Sequence, residues 1–249
     1  MPKIFYLSTD TETLGFNGPV RLPDGTIVQG CAYYPIVQIA GKLLDGHLNE
    51  LAHFNYFIQP TAAQMARALP ETVEFHIKNG FDKAWDSAER LSIEDAQVAI
   101  YQFLVSHLSI HCPEYIKEGK LPEYKYDNPA VIILHGKSVN FDRTFLNCQL
   151  PEIGMILGHQ TADVSAIRTL MYPVKHLPNR LSKTTSTHDA LDDVNAAIAD
   201  HKAILDFLNL VPVPKGKYHY LEDVTNVVSE QNKTYIAKVI TFLKTHLFK

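Results

Sequence analysis

The segment AVIILHG, Ala130 to Gly136, constrains the fold more than any other stretch of the chain. It is too short for a buried helix and shows no polar alternation, so it reads as a strand covered on both faces. The VNFDRTFLNCQL that follows reads as a helix. A strand around Gln160 to Val164 and a short helix near Ala166 to Met171 repeat the alternation. The earlier half is different. Ile4 to Thr9 reads as a strand, and YYPIVQIAGKLL turns at Asp45-Gly46 into NELAHFNYFIQP, an antiparallel hairpin with the first strand alongside. Between them lies FNGPVRLPDGTIVQG, an insertion loop over residues 16–30 whose Pro-Asp-Gly marks a turn or small hairpin. Ser92-Ile-Glu-Asp95 opens a helix with Ile93, Ala96, Ile100, Phe103 or Leu104, and Leu108 at helical spacing. Strands first and strand-helix alternation later imply an α/β fold with a mixed sheet flanked by helices.

With 249 residues, 46% of them apolar, the chain can bury one large core or a core with an appendage. We expect a principal domain over 1–208 and a C-terminal extension over 209–249, where a Pro-rich link precedes an amphipathic segment from Lys233 to Phe248. Cys31, Cys112 and Cys148 are scattered and form no CxxC pair, which suggests neither a disulfide framework nor a zinc knuckle. The apolar runs are too short for a signal peptide or a membrane span, so the expectation is a cytoplasmic protein with no membrane partner. A formal charge of −4 argues against gripping long nucleic acid on a broad basic face. It leaves room for a small acidic site that takes its positive charge from metal.

Candidate acids sit at the ends of apolar elements. Asp10 and Glu12 follow the first strand in STDTETLG, and Asp142 lies on the first helical turn after AVIILHG. A first-turn acid also complements a helix dipole, so Asp142 alone is not diagnostic. In THDALDDVNAAIADHKAIL, at about 100° per residue, Ala190, Leu191, Val194, Ala197, Ile198, Ile204 and Leu205 form one stripe. Asp193 flanks that stripe and can turn into a site. Asp192 points away, and Asp189 is expected to be solvated. His188, five positions before Asp193, must stand at the helix start to reach the same pocket, where a histidine beside carboxylates is a candidate general base.

DTET, the mid-chain NFDRTFL and the C-terminal HDALDD together resemble the three motifs of the DEDDh branch of the DnaQ-like 3′-5′ exonucleases, which have the RNase H fold. GKSVNFDRTFL followed by ADVSAIRTL is similar to oligoribonuclease in particular. The resemblance implies a mixed five-stranded sheet and two divalent ions, Mg²⁺ or Mn²⁺, held by Asp10, Glu12, Asp142 and Asp193, with His188 as the base. It also implies substrate contacts from Thr11, Thr13 and Leu14 at the terminal nucleotide, from Ser138 near the far phosphate, and from His76 as a base-stacking ring. The implied partners are single-stranded DNA or RNA, short oligonucleotides above all, and a second copy of the chain in a homodimer. The implied product is the 5′-mononucleotide. Two alternatives stand beside this reading: a single-stranded DNA exonuclease of proofreading type, and an inactive exonuclease fold used as a binding module. Arg168, Lys175, His176, Arg180 and Lys183 could line a backbone path, and the connection from Pro113 to Pro129 is expected to be exposed. HGKS is not a phosphate loop, because the glycine required five residues before Gly136 is Val131.

Overall fold

The computed structural model describes residues 2–171 and 188–208. The chain enters on β1 (Lys3–Thr13), passes through the hairpin β2 (Pro19–Arg21) and β3 (Ile27–Gln29) and the turn α1 (Gly30–Tyr33), then runs along β4 (Ile36–Asp45) and β5 (Glu50–Ile58). Three short helices follow, α2 (Ala62–Met65), α3 (Pro70–Lys78) and α4 (Phe81–Ser87), before β6 (Arg90–Leu91) and the long α5 (Ile93–His111). Then come β7 (Ala130–Gly136), α6 (Asn140–Gln149), α7 (Pro151–Ile156), β8 (Leu157–Asp163), α8 (Val164–Met171) and α9 (Ala190–Leu208). The expected C-terminal extension, and Lys175, His176, Arg180 and Lys183, lie outside the described residues.

The main sheet has the order β6-β5-β4-β1-β7-β8. β4 runs antiparallel to both β1 and β5, whereas β7 is parallel to β1 and β8 is parallel to β7. A long second strand running against its neighbours, followed by parallel strand-helix units, is the RNase H-like arrangement that the resemblance implies. The sheet has six strands where five were expected. The addition is β6, whose two residues pair with Phe57 and Ile58 and are too few to carry a periodic signal. The Pro-Asp-Gly insertion does form a hairpin, outside the main sheet.

Alternation along β1 divides its side chains between two layers. Phe5 and Leu7 point into the larger core with Ile39, Leu43, Ile100, Leu104, Phe145 and Ile153, where α5, α6 and α7 cover the sheet. On α5 the buried positions are Ala96, Ile100, Leu104 and Leu108, and Ser92 Oγ caps the helix by accepting from the Asp95 N–H at 3.0 Å. Each fully buried aliphatic side chain there contributes roughly 1.5–3 kcal/mol. On the other face Tyr6 meets Leu44, Leu48, Val194 and Ile198, so α9 packs there on the stripe that its sequence predicts.

A polar seam continues that second face. Ser8 Oγ meets His135 Nδ1 at 2.8 Å, and His135 Nε2 meets His201 Nδ1 at 2.9 Å. Burial and the neighbouring His201 push the His135 imidazole down to about 3, so it is neutral at physiological pH. Beside it, Lys137 Nζ reaches the buried Asp200 at 3.1 Å. The connection between α5 and β7 departs from expectation. Tyr126 is exposed, but Tyr115 is fully buried and Leu121 nearly so, because a 3₁₀ turn at Pro113–Tyr115 folds the chain back over the core. The Leu121 N–H donates to Tyr101 Oη at 2.9 Å and holds it there.

Candidate active site

The same alternation that buries Tyr6 and Ser8 sends Asp10 and Glu12 to the α9 side of the sheet, where β1 runs out. Thr9 and Thr11 take the opposite side. Thr11 meets α6 there: its N–H and its hydroxyl both donate to Asp142 Oδ1, at 2.9 and 2.7 Å. Asp142 is therefore held at the first turn of α6 by a residue lying between the two β1 acids. Phe145 and Leu146, buried one turn on, anchor that helix to the core.

The start of α9 is docked by Gln38, a buried polar residue inside the apolar β4 run. Gln38 Nε2 donates to Asp189 Oδ2 at 3.1 Å, and its Oε1 accepts from the Ala190 N–H at 3.1 Å. Asp189 Oδ1 accepts from the N–H groups of Leu191 and Asp192 at 3.0 and 3.3 Å. Asp189 is thus a helix cap tied to the sheet, which corrects the expectation that it is solvated; a stripe calculation is blind to caps. Asp192 is exposed and Asp193 half-buried, as the stripe predicts. His188 stands just before the helix with φ 54°, in the left-handed region that a non-glycine residue enters at some cost. Its ring meets Phe75 edge-on, with centroids 4.2 Å apart.

These elements enclose a cleft of about 420 Å³ lined by Asp10, Glu12, Asp142, Asp193 and His188, with Lys137, Ser138 and Arg168 on its wall. A second chamber of about 360 Å³ shares Thr11, Glu12, Phe141 and His188 with it, and is closed by Thr13, Phe16, Phe75 and His76. Burial raises the Asp10 carboxyl well above its ordinary range, and Asp142, Glu12, Asp193 and Asp189 raise it further. Glu12 is pushed up to about 8 by burial and then by Asp193 and Asp142. Burial takes Asp142 up to about 7 against the pull of the Thr11 hydrogen bonds. Carboxylates pressed together this way hold protons unless a cation replaces them. Hard divalent ions take oxygen ligands, so this donor set fits them. Glu12, His188 and Asp193 offer ligand atoms within 4.8 Å of one another.

The expected substrate residues are not all alike. Thr11 and Thr13 line the second chamber, but the Thr11 hydroxyl is committed to Asp142 and the Thr13 hydroxyl to the Gly15 carbonyl. Leu14 belongs to a small core with Val37 and Phe81; its N–H donates to the Pro35 carbonyl and its own carbonyl accepts from the Leu69 N–H. His76 is buried rather than presented as an open stacking ring, and its Nε2 meets the Thr13 carbonyl at 3.0 Å. Ser138, φ 54°, rests on the first cleft, its N–H donating to Asp163 Oδ1 at 3.1 Å. Phe16 and Phe75 line the second chamber with Phe141, and these two were not singled out by sequence, since a single aromatic in a loop or on a short helix carries no signal.

No family model matches the chain. Among curated proteins it is similar to the oligoribonuclease of Colwellia psychrerythraea, 27% identical over 168 residues that cover 67% of this chain and 82% of the relative. The oligoribonuclease of Streptomyces coelicolor is 26% identical over 170 residues, covering 66% of this chain and 74% of the relative. These likenesses support placing the chain among the DnaQ-like 3′-5′ exonucleases. Members of this family generally use divalent metal ions, in keeping with the carboxylate cluster. Among solved structures, exonuclease I from Methylocaldum szegediense superposes with a TM-score of 0.47 at 14% identity over 95% of this chain, and E. coli exonuclease I bound to an oligonucleotide with 0.44 at 14% over 84%. The match spans less than half of either exonuclease I chain, 45% and 43%. None of the described helices is long and apolar enough to cross a membrane.

Proposed function

We propose that this DnaQ-like exonuclease hydrolyses the 3′-terminal phosphodiester of short oligoribonucleotides, in a reaction dependent on two divalent ions, and releases 5′-mononucleotides. The observation that carries the reading is the convergence of Asp10, Glu12, Asp142, Asp193 and His188 from three separated segments on one cleft. The names of the curated relatives support short RNA as the substrate. An inactive binding module would have no need of all five groups.

Asp10, Glu12, Asp142 and Asp193 would hold the ions, Mg²⁺ or Mn²⁺, which when bound supply Lewis acidity at the phosphoryl group and offset the carboxylate charge. His188 takes the proton of the attacking water, and its contact with Phe75 holds the imidazole in one orientation. Thr11 fixes Asp142 through two hydrogen bonds. Phe16, Phe75 and Phe141 offer ring faces to the terminal base, and Thr13 and His76 complete the chamber wall. Arg168 and Ser138 place positive charge and a hydroxyl where the next phosphate would lie, while Lys137 on the same wall is paired with Asp200. The test is a ladder of 5′-labelled RNA and DNA oligomers, from dinucleotides upward, with Mg²⁺, Mn²⁺ or chelator. Cation-dependent mononucleotide release, fastest on short RNA, is the expected result. Preference for long DNA would overturn the substrate assignment, and hydrolysis unaffected by chelation would overturn the metal requirement.

A further inference from the structure

The Cys31 and Cys148 sulfurs, 117 positions apart in the chain, lie 2.7 Å from each other. Cys31 sits buried in α1, and Cys148 is exposed on the last turn of α6. Hydrogen bonds on both sides support this meeting. Gln149, next to Cys148, donates through Nε2 to the Cys31 carbonyl at 2.7 Å and to the Tyr34 carbonyl at 2.8 Å. Gly30, next to Cys31, donates its N–H to the Gly18 carbonyl at 2.7 Å, and a Cβ at Gly30 would stand 1.9 Å from the Phe16 carbonyl oxygen. The two thiols are therefore presented to each other by a tightly fitted junction between the hairpin insertion and α6. Cys112, buried at the end of α5, is a free thiol outside this pair.

We propose that Cys31 and Cys148 form a modification site, a thiol pair that a low-molecular-weight disulfide such as oxidised glutathione converts reversibly to an intramolecular disulfide. The exposed Cys148, as thiolate, attacks one glutathione sulfur; the S–S bond breaks and glutathione thiolate leaves. Cys31 then loses its proton and attacks Cys148 Sγ, expelling the second glutathione thiolate. Two protein thiols are oxidised, one glutathione disulfide is reduced, and the two protons leave with two molecules of glutathione. Burial and the Cys148 thiol push Cys31 up to about 11, which makes it the resolving and not the initiating thiol. The bond would join the two sides of the substrate groove, since the insertion carries Phe16 and α6 carries Asp142. It would also close a long loop in the unfolded chain, which stabilises the fold.

The experiment treats the full chain with oxidised glutathione, then counts free thiols, measures intact mass and maps peptides without reduction. We expect one remaining thiol, Cys112, a mass lower by two hydrogens, a Cys31–Cys148 crosslinked peptide, and a Tm raised by roughly 5–15 °C that dithiothreitol reverses. Cys31→Ser should instead accumulate a glutathione adduct on Cys148, and Cys148→Ser should keep both of its thiols with no Tm shift. A stable glutathione adduct on the wild-type chain, three unmodified thiols, or a crosslink through Cys112 would each overturn the proposal. These readouts do not involve hydrolysis, so they stand or fall separately from the proposed activity.

Discussion

In the metal-free protein the acid cluster should make stability fall as pH rises through neutrality. Glu12 moves from 4.5 to about 8 and Asp142 from 3.8 to about 7 on folding. Both groups bind protons more tightly in the native state, so their contribution is fully present below the unfolded values and is lost as pH rises through the folded ones. His135 has the opposite sign. It drops from 6.5 to about 3, so its contribution is present above 6.5 and is lost as pH falls below that. The two effects separate above about pH 6.5, where the carboxyl groups alone set the slope. At about 1.4 kcal/mol per proton per pH unit, Glu12 by itself costs roughly 2 kcal/mol between pH 6.5 and 8. For a chain of this size that is a Tm decrease of roughly 4–8 °C. Divalent cation should abolish the decrease, because it takes the place of the protons, and its stabilising effect should be larger at pH 8 than at pH 5.5. The assay is differential scanning fluorimetry across pH with chelator, then with Mg²⁺ or Mn²⁺. A chelated protein whose Tm stays flat or climbs from pH 6.5 to 8 would refute the reasoning.

Three further outcomes are expected. His188→Ala should reduce turnover by about 10²–10⁴-fold while Mg²⁺ still raises the Tm; an equal loss of cation stabilisation would make His188 a ligand instead of a base. Thr11→Val removes one of the two donors to buried Asp142 and should cost about 1–3 kcal/mol in chemical denaturation, with weaker cation binding by calorimetry; unchanged values for both would show that the contact does not position Asp142. Leu104→Ala, in the fully buried row of α5, should cost about 2–5 kcal/mol with little change in KM, and a selective effect on KM would place α5 nearer the substrate than the fold does.

Periodicity made much of the framework legible before any coordinates. The unbroken AVIILHG run could be satisfied only between two helical layers, and the stripe of α9 singled out Asp193 over Asp192 because a helix has one inward face. Elements too short to repeat a pattern were not legible, which is why β6 and the helices between β5 and β6 do not emerge from sequence. The Tyr115 region has the prolines, lysines and tyrosines of a solvent loop, and only the turn at Pro113–Tyr115, which carries the ring into the core, buries it.

The sequence by itself determined which groups are present and at which element ends they stand, because apolar spacing and capping are local properties. Tertiary structure alone decided what each group does there. Thr11 holds Asp142 because β1 and α6 approach on the face opposite Asp10 and Glu12. Asp189 became a cap because Gln38 of β4 lies beneath the start of α9. Cys31 and Cys148, unremarkable in the chain, became neighbours through the fit of α1 against α6. Such contacts depend on distances between segments more than a hundred residues apart, and no local pattern encodes them.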